Sequence, residues 1–116
     1  MSKRVEWYYH RAGWTSCKRA QEFLAKAGID PITVEKPSKP PYQLAKARSL
    51  LGEVSTLYAA KGKQIITVDL KTDVVDDEVV NKFMLGPTGN LRAPTMKIGN
   101  ALLVGFNQEL YDQVFA

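Results

Sequence analysis

Trp14-Thr15-Ser16-Cys17 stands at the start of a predicted helix, where a thiol can acquire unusual chemistry. The first N–H groups of a helix are unpaired and its dipole is positive at this end, and both favour the nucleophilic thiolate over the thiol. A second thiol three residues further on shares the same helix face and can close a disulfide. Cys17 occupies the second of these positions and Trp14 the first. Because an indole cannot attack a disulfide, the sequence as written has no nucleophile at the first of the two positions.

The elements around this motif follow from hydrophobic periodicity. Residues 4–9 are rich in β-formers and predict a strand, and the pattern becomes helical from Thr15 until Gly28 ends it. Thr15 or Ser16 is expected to cap this helix through its hydroxyl oxygen. Residues 32–35 predict a second short strand, so the first part of the chain has the size of a βαβ unit with a parallel pair.

The middle of the chain is harder to interpret. Residues 42–51 predict a helix that ends before Gly52, with Pro41 in its first turn. Residues 54–58 and 64–68 favour a hairpin, although a continued helix through the first of these segments is an alternative.

The last part of the chain has clearer signals. Acidic residues at 76–78 predict the start of a short helix. Residues 95–98 and 101–104 predict two strands joined by the turn Gly99-Asn100, and Asn107 is expected to cap a final helix. A parallel half followed by an antiparallel hairpin, with helices on both faces, makes a mixed α/β sandwich.

Two motifs on these elements resemble a known family. The stretch 14–20 resembles the Cys-x-x-Cys-basic-basic-Ala helix start of the arsenate-reductase/Spx-like branch of the thioredoxin fold, and 90–95 resembles its arginine-x-proline segment. The stretch 85–95 is similar to a bacterial group of ArsC-family (seleno)proteins. The resemblance covers 5–115. It implies a thioredoxin-like α/β sandwich of the glutaredoxin/arsenate-reductase type, with a mixed sheet, helices on both faces and one domain over 1–116.

The resemblance also implies a set of site residues. Trp14 stands at the nucleophile position, and Cys17 at the position that resolves a mixed disulfide. Alternatively, Cys17 is only a small buried apolar residue. Pro94 is expected to follow a cis peptide bond, with the backbone of Ala93 and Pro94 presented to the substrate.

Further substrate contacts are implied at Thr15, Ser16 and Arg92. Arg92 resembles an oxyanion-binding arginine, and a guanidinium group suits such anions. A surface salt bridge is the alternative, because the full set of arginines of an arsenate site is not evident. Arg11 and Lys18 flank the motif and either raise its positive potential or are solvated charges.

The tryptophan at position 14 has two interpretations. Some members of the similar group carry selenocysteine here, encoded by UGA, one base from the tryptophan codon UGG. Trp14 is therefore either a selenocysteine position that was replaced or decoded as tryptophan, or a genuine tryptophan in a lineage that lost activity. A selenolate is more acidic than a thiolate, so selenocysteine at position 14 would form a competent couple with Cys17.

Length, composition and charge exclude several classes of protein. With 116 residues, 45% hydrophobic and 24% charged, the chain fits one packed domain. One cysteine and one histidine leave no ordinary structural zinc site. The net charge of +4 fits either an anionic substrate or a solvated surface. Without a dense basic run, a membrane span or a signal peptide, we expect a cytoplasmic monomer that binds neither nucleic acid nor membrane.

These features predict a thiol or selenol oxidoreductase-like protein with little activity as written. Its expected partners are a thiol, disulfide or oxyanion substrate, or a protein redox partner. The alternative is a redox-inactive binding module or an Spx-like regulator, although those regulators usually extend beyond the position of Ala116. Glutathione binding is doubtful because 104–107 carries a single glycine where glutaredoxins have a Gly-Gly-x-x-Asp segment, so no cofactor is expected.

Overall fold

The computed structural model describes residues 4–116, and the basic start of the chain, residues 1–3, lies outside the described part. The described chain forms strands and helices in the predicted order. Their bounds are β1 (Val5–Tyr9), α1 (Thr15–Lys26), β2 (Thr33–Glu35), α2 (Leu44–Leu51), β3 (Thr56–Lys61), β4 (Gln64–Asp69), α3 (Asp77–Val79), β5 (Thr95–Ile98), β6 (Ala101–Val104) and α4 (Gln108–Val114). A π-helical turn, Val80–Met84, continues α3.

The six strands form one mixed sheet in the order β2-β1-β5-β6-β3-β4. Strand β1 runs parallel to β2, and β3 runs parallel to β6, whereas the other neighbours are antiparallel. The hairpin predicted for the middle of the chain is confirmed, with Lys61 paired to Gln64 across a turn at Gly62. The alternative of a continued helix is therefore wrong. This hairpin extends the sheet beyond β6.

Two apolar clusters separate the faces of the sheet. One contains residues of α1 and α4 and the sheet residues Tyr8 and Leu103. The other contains residues of α2 and the π-helical turn, together with Tyr9 and Leu102. Neighbouring strand residues thus alternate between the clusters, because successive side chains of a strand point to opposite faces. The prediction of helices on both faces is confirmed.

Two predicted helix starts are wrong. Trp14, not Thr15 or Ser16, is the N-cap of α1, and it makes no side-chain cap. The reason is that its carbonyl already accepts the first helical bond, from Lys18 N at 3.0 Å. Helix α2 begins at Leu44, later than predicted, because the carbonyl of Tyr42 instead accepts the N–H of Leu91 at 2.7 Å.

Candidate functional site

Residue 14 lies where the loop after β1 enters α1. Gly13, with a φ of +88°, turns the chain into the helix. A positive φ is accessible to glycine without a steric cost. The Trp14 side chain is 44% exposed, and the guanidinium carbon of Arg11 lies 4.4 Å from its ring centre. The indole therefore forms a surface cation–π pair at the position predicted for the nucleophile.

Cys17 lies within the first turn of α1 and is wholly buried. Its sulfur accepts a hydrogen bond from the backbone N–H of Arg11 at 3.4 Å. Burial raises the pKa of the thiol, and the hydrogen bond and charge of Arg11 lower it by less. The position of Cys17 in the first turn of the helix is thus not enough to favour its thiolate form over the buried thiol. This geometry favours the interpretation of Cys17 as a buried thiol that does not react by itself.

Tyr8 connects the buried cysteine to the only histidine of the sequence. Its hydroxyl lies 2.8 Å from Nδ1 of His10 and 3.3 Å from the carbonyl oxygen of Cys17. The pKa of His10 is lowered by burial and by the charge of Lys36, so the imidazole is neutral at pH 7. Within residues 4–116, no side chain hydrogen-bonds to the Cys17 sulfur, which leaves the thiol without a base to activate it.

A cavity of about 470 Å³ opens beside Trp14. We call it the Trp14 cavity. Its lining comes from three places in the chain: the end of β1 with the loop that follows, the segment after β2, and the segment before β5. The lining residues are Tyr9, His10, Arg11, Ala12, Trp14, Lys36, Pro37, Ser38, Lys39, Pro41, Asn90, Leu91 and Ala93.

The charged residues that line the Trp14 cavity are all cationic, namely Arg11, Lys36 and Lys39. The carboxylate of Glu35, next to Lys36 in the chain, is occupied elsewhere. It accepts a hydrogen bond from Trp7 Nε1 at 3.1 Å. A hydrogen bond to the same carboxylate is the main cause that raises the pKa of Tyr42. The cavity therefore presents positive charge to solvent, and its electrostatics favour an anionic ligand.

Ala93 lines this cavity, and Pro94, which follows a cis peptide bond as expected, is wholly buried behind it. The carbonyl of Pro94 accepts the N–H of Gly105 at 2.8 Å. In the described part of the chain, neither the N–H nor the C=O of Ala93 has a hydrogen-bond partner. Trp14 and Ala93, the two ends of the predicted site, thus meet at one cavity, with unpaired backbone groups beside it.

Arg92, unlike its neighbour Ala93, has its side chain in hydrogen bonds to the backbone of other elements. Its Nη1 donates hydrogen bonds to the carbonyl oxygens of Ala60, at 2.9 Å, and Phe83, at 2.8 Å. Desolvation by burial lowers the pKa of the guanidinium. Arg92 therefore joins β3 to the π-helical turn and does not line the Trp14 cavity. The alternative interpretation of Arg92, a surface salt bridge, is not found within residues 4–116, where Nη1 donates to backbone carbonyls.

The structure does not bring the other predicted contact residues into the cavity lining. Thr15 is exposed and Ser16 is half-buried, and neither lines it. Conversely, the sequence interpretation missed Lys36 and Lys39, which it treated as part of a proline-marked connection. Two lysines among prolines directly after a parallel strand were the available signal, since ligands of α/β sheets bind beyond the carboxyl ends of parallel strands.

No family model and no curated protein matches this chain. None of the helices in the described part is long and apolar enough to cross a membrane. Within residues 4–116, no three histidine, cysteine, aspartate or glutamate side chains are grouped so that they could hold a metal ion.

Proposed function

We propose that this chain is a thioredoxin-like scaffold of the thiol or selenol oxidoreductase type, with the attacking position occupied by Trp14. The parallel pair β1–β2, the antiparallel hairpin β5–β6 and helices on both faces of the sheet are the parts that this interpretation predicts. The arrangement that carries the proposal is local. Residue 14 is exposed at the N-cap of a helix and faces a cavity, and Cys17 is buried three residues further on.

A thiolate or selenolate at position 14 would attack one sulfur of a disulfide substrate. The substrate S–S bond would break, a mixed disulfide would form, and the departing sulfur would leave as a thiolate that takes a proton from water. Cys17, once deprotonated, would then attack the mixed disulfide, close a bond to position 14 and release the second substrate thiol. Two electrons pass from the protein pair to the substrate, and an external thiol restores the pair.

With Trp14 in place, the first of these steps has no nucleophile. Cys17 cannot replace it, because its sulfur is wholly buried and burial raises the pKa of the thiol. The protein as written is therefore expected to have little exchange activity. If the native codon at position 14 is UGA followed by a selenocysteine-insertion element, the natural protein is a selenoenzyme with its nucleophile there, and if the codon is UGG, the tryptophan is genuine.

The proposal is tested by Trp14→Cys in reduction of bis(2-hydroxyethyl) disulfide, with dithiothreitol as the electron donor. We expect its rate to exceed that of the unaltered protein by about tenfold or more, because a thiol at this helix start is exposed and favoured as thiolate. Trp14→Ser, which removes the indole without adding a thiol, should stay at background. Trp14→Cys combined with Cys17→Ala should form the mixed disulfide but not resolve it internally.

Two outcomes contradict the proposal. One is exchange by the unaltered protein at the rate of Trp14→Cys. The other is a folded Trp14→Cys variant that shows no gain and no disulfide with Cys17 on oxidation.

A second candidate is a redox-inactive binding module, such as an Spx-like regulator of RNA polymerase in the cytoplasm. The open cation-lined cavity beside Trp14 favours it, because this surface is available without any thiol chemistry. Co-migration of the purified protein with purified bacterial RNA polymerase on size exclusion supports this candidate. The enzyme scaffold is supported if the Trp14→Cys variant gains exchange activity and the unaltered protein does not co-migrate with the polymerase.

A further inference from the structure

We propose that the Trp14 cavity binds an extended, acidic peptide segment of a partner protein, and that Lys36 and Lys39 determine this specificity. The inference deepens the proposed function, since it names the substrate class that would bring a disulfide to position 14. Binding itself needs no thiol, and it can therefore be measured on the unaltered chain.

The first argument is charge. Arg11 comes from the loop after β1, and Lys36 and Lys39 come from the segment after β2, so two separate segments contribute cations to the cavity. Both lysines are exposed, and no salt bridge within residues 4–116 neutralises any of the three. Separated cations around one opening match several carboxylates distributed along a chain better than a single compact anion.

The second argument is size and lining. The volume of about 470 Å³ lies in the range of sites that hold drug-sized ligands, and a water molecule takes about 30 Å³, so an inorganic oxyanion would fill little of it. The same lining contains apolar surfaces, contributed by Trp14, Pro37, Pro41 and Leu91. The aliphatic parts of a peptide can cover these surfaces, which an oxyanion would leave in contact with water.

The third argument is the backbone of Ala93. This residue lines the cavity, and within the described residues its N–H and C=O have no partner. An extended peptide can pair its own main chain with such groups, as in the addition of a strand to a sheet edge. Asn90, also in the lining, has its Oδ1 occupied by Gln43 Nε2 at 3.1 Å, which leaves its amide N–H groups to donate to a ligand.

The natural fluorescence of Trp14 provides the test. Trp7, the other tryptophan of the sequence, is kept because its Nε1 holds the carboxylate of Glu35. Isothermal titration calorimetry on the same unaltered protein measures the affinity independently of the fluorescence. The probes are the peptide acetyl-Gly-Glu-Asp-Ala-Ser-Glu-Glu-Gly-amide and its matched version with Gln and Asn in place of Glu and Asp. Neither contains cysteine, so no exchange can occur. We expect the acidic peptide to bind about tenfold or more tightly than the neutral one, with the difference reduced by salt.

Charge reversal then assigns the residues. Lys36→Glu with Lys39→Glu should weaken binding of the acidic peptide by about tenfold or more. Lys63→Glu with Lys71→Glu makes the same change in net charge at exposed lysines outside the cavity, and it should change the affinity by less than about threefold.

Equal binding of both peptides, or an unchanged affinity after reversal at Lys36 and Lys39, overturns the inference. So does a response to inorganic phosphate or oxidised glutathione in the absence of any response to the acidic peptide. A failure here with an active Trp14→Cys variant removes only the substrate class. An inactive Trp14→Cys variant with intact peptide binding removes the redox function and leaves the binding site.

Discussion

The backbone N–H of Arg11 donates a hydrogen bond to the Cys17 sulfur at 3.4 Å. The loop before α1, which ends at Trp14, is therefore held against the buried Cys17. The guanidinium carbon of the same Arg11 lies 4.4 Å from the centre of the Trp14 ring. Arg11 thus contacts both the exposed Trp14 and the buried Cys17. In a reaction at this site, the exposed residue 14 would have to attack the substrate first, and the buried Cys17 would resolve the adduct afterwards.

The accessibility of Cys17 gives the first prediction. Its sulfur is wholly buried and the pKa of its thiol is raised, so iodoacetamide should modify it at least about 100-fold more slowly in the folded protein than in urea at pH 8. Mass spectrometry after timed quenching measures both rates. Equal rates in the two conditions would mean that the loop opens freely and that Cys17 is available as a nucleophile.

The raised pKa of Cys17 also predicts a pH dependence of stability. Folding favours the protonated thiol, so its contribution is complete below the pKa of the unfolded cysteine and is lost as the pH rises through the folded pKa. Within that window the free energy of unfolding should fall by up to about 1.4 kcal/mol per pH unit from this group. The difference between urea unfolding of the unaltered protein and of Cys17→Ala gives the contribution of Cys17, including its effect on the pKa of Tyr8 and Tyr111. Parallel curves for the two proteins would refute the assignment.

Local signals in the sequence were sufficient for much of the fold. Strands 95–98 and 101–104 were predicted to the residue, since alternation and the turn between them are local properties. Asn107 caps α4 as predicted, through a hydrogen bond from Leu110 N to its Oδ1 at 3.0 Å. In contrast, the cap of α1 was wrong, because the carbonyl that starts the helical bonds belongs to Trp14 and not to a residue with a capping side chain.

The site was predictable only in part. The motif at 14–17 and the segment with Ala93 were identified, but Lys36 and Lys39 were not placed beside them, and their position after a parallel strand was the only signal for it. Exposed lysines carry no periodic signal, and their position depends on how the segment after β2 packs against the loop after β1. The partners of Arg92 are equally non-local, since Ala60 lies 32 residues away in the chain.

Arg92 provides the third prediction. Arg92→Met removes the donor to two carbonyls and leaves them without that partner, so it should lower the free energy of unfolding by about 2–4 kcal/mol. Arg19→Met, at an exposed position of α1, should cost less than about 0.5 kcal/mol. Denaturant unfolding gives both values.

A substrate-binding role of Arg92 predicts a different pattern. Arg92→Lys would then weaken binding of the acidic peptide while leaving stability near that of the unaltered protein. From the structure we expect the reverse, with a lower midpoint of unfolding and an affinity within about twofold, because Arg92 does not line the Trp14 cavity.

The last prediction concerns Gly105, which accepts no side chain for two separate reasons. Its φ is +84°, and a Cβ built on it would lie 2.3 Å from the carbonyl oxygen of Ala60 and 3.2 Å from Nη2 of Arg92. Gly89 has a nearly equal φ of +81° but open space around its Cβ position. Gly89→Ala should therefore cost only the backbone term of about 1–2 kcal/mol. Gly105→Ala should cost at least about 2 kcal/mol more, because the Ala60 carbonyl of β3 and the Arg92 side chain must both move away from the new methyl group. Thermal and urea unfolding of the two variants compare them directly. Similar losses at both positions would show that the close approach at Gly105 relaxes without cost, whereas a Gly105→Ala protein that fails to fold beside a folded Gly89→Ala protein confirms it.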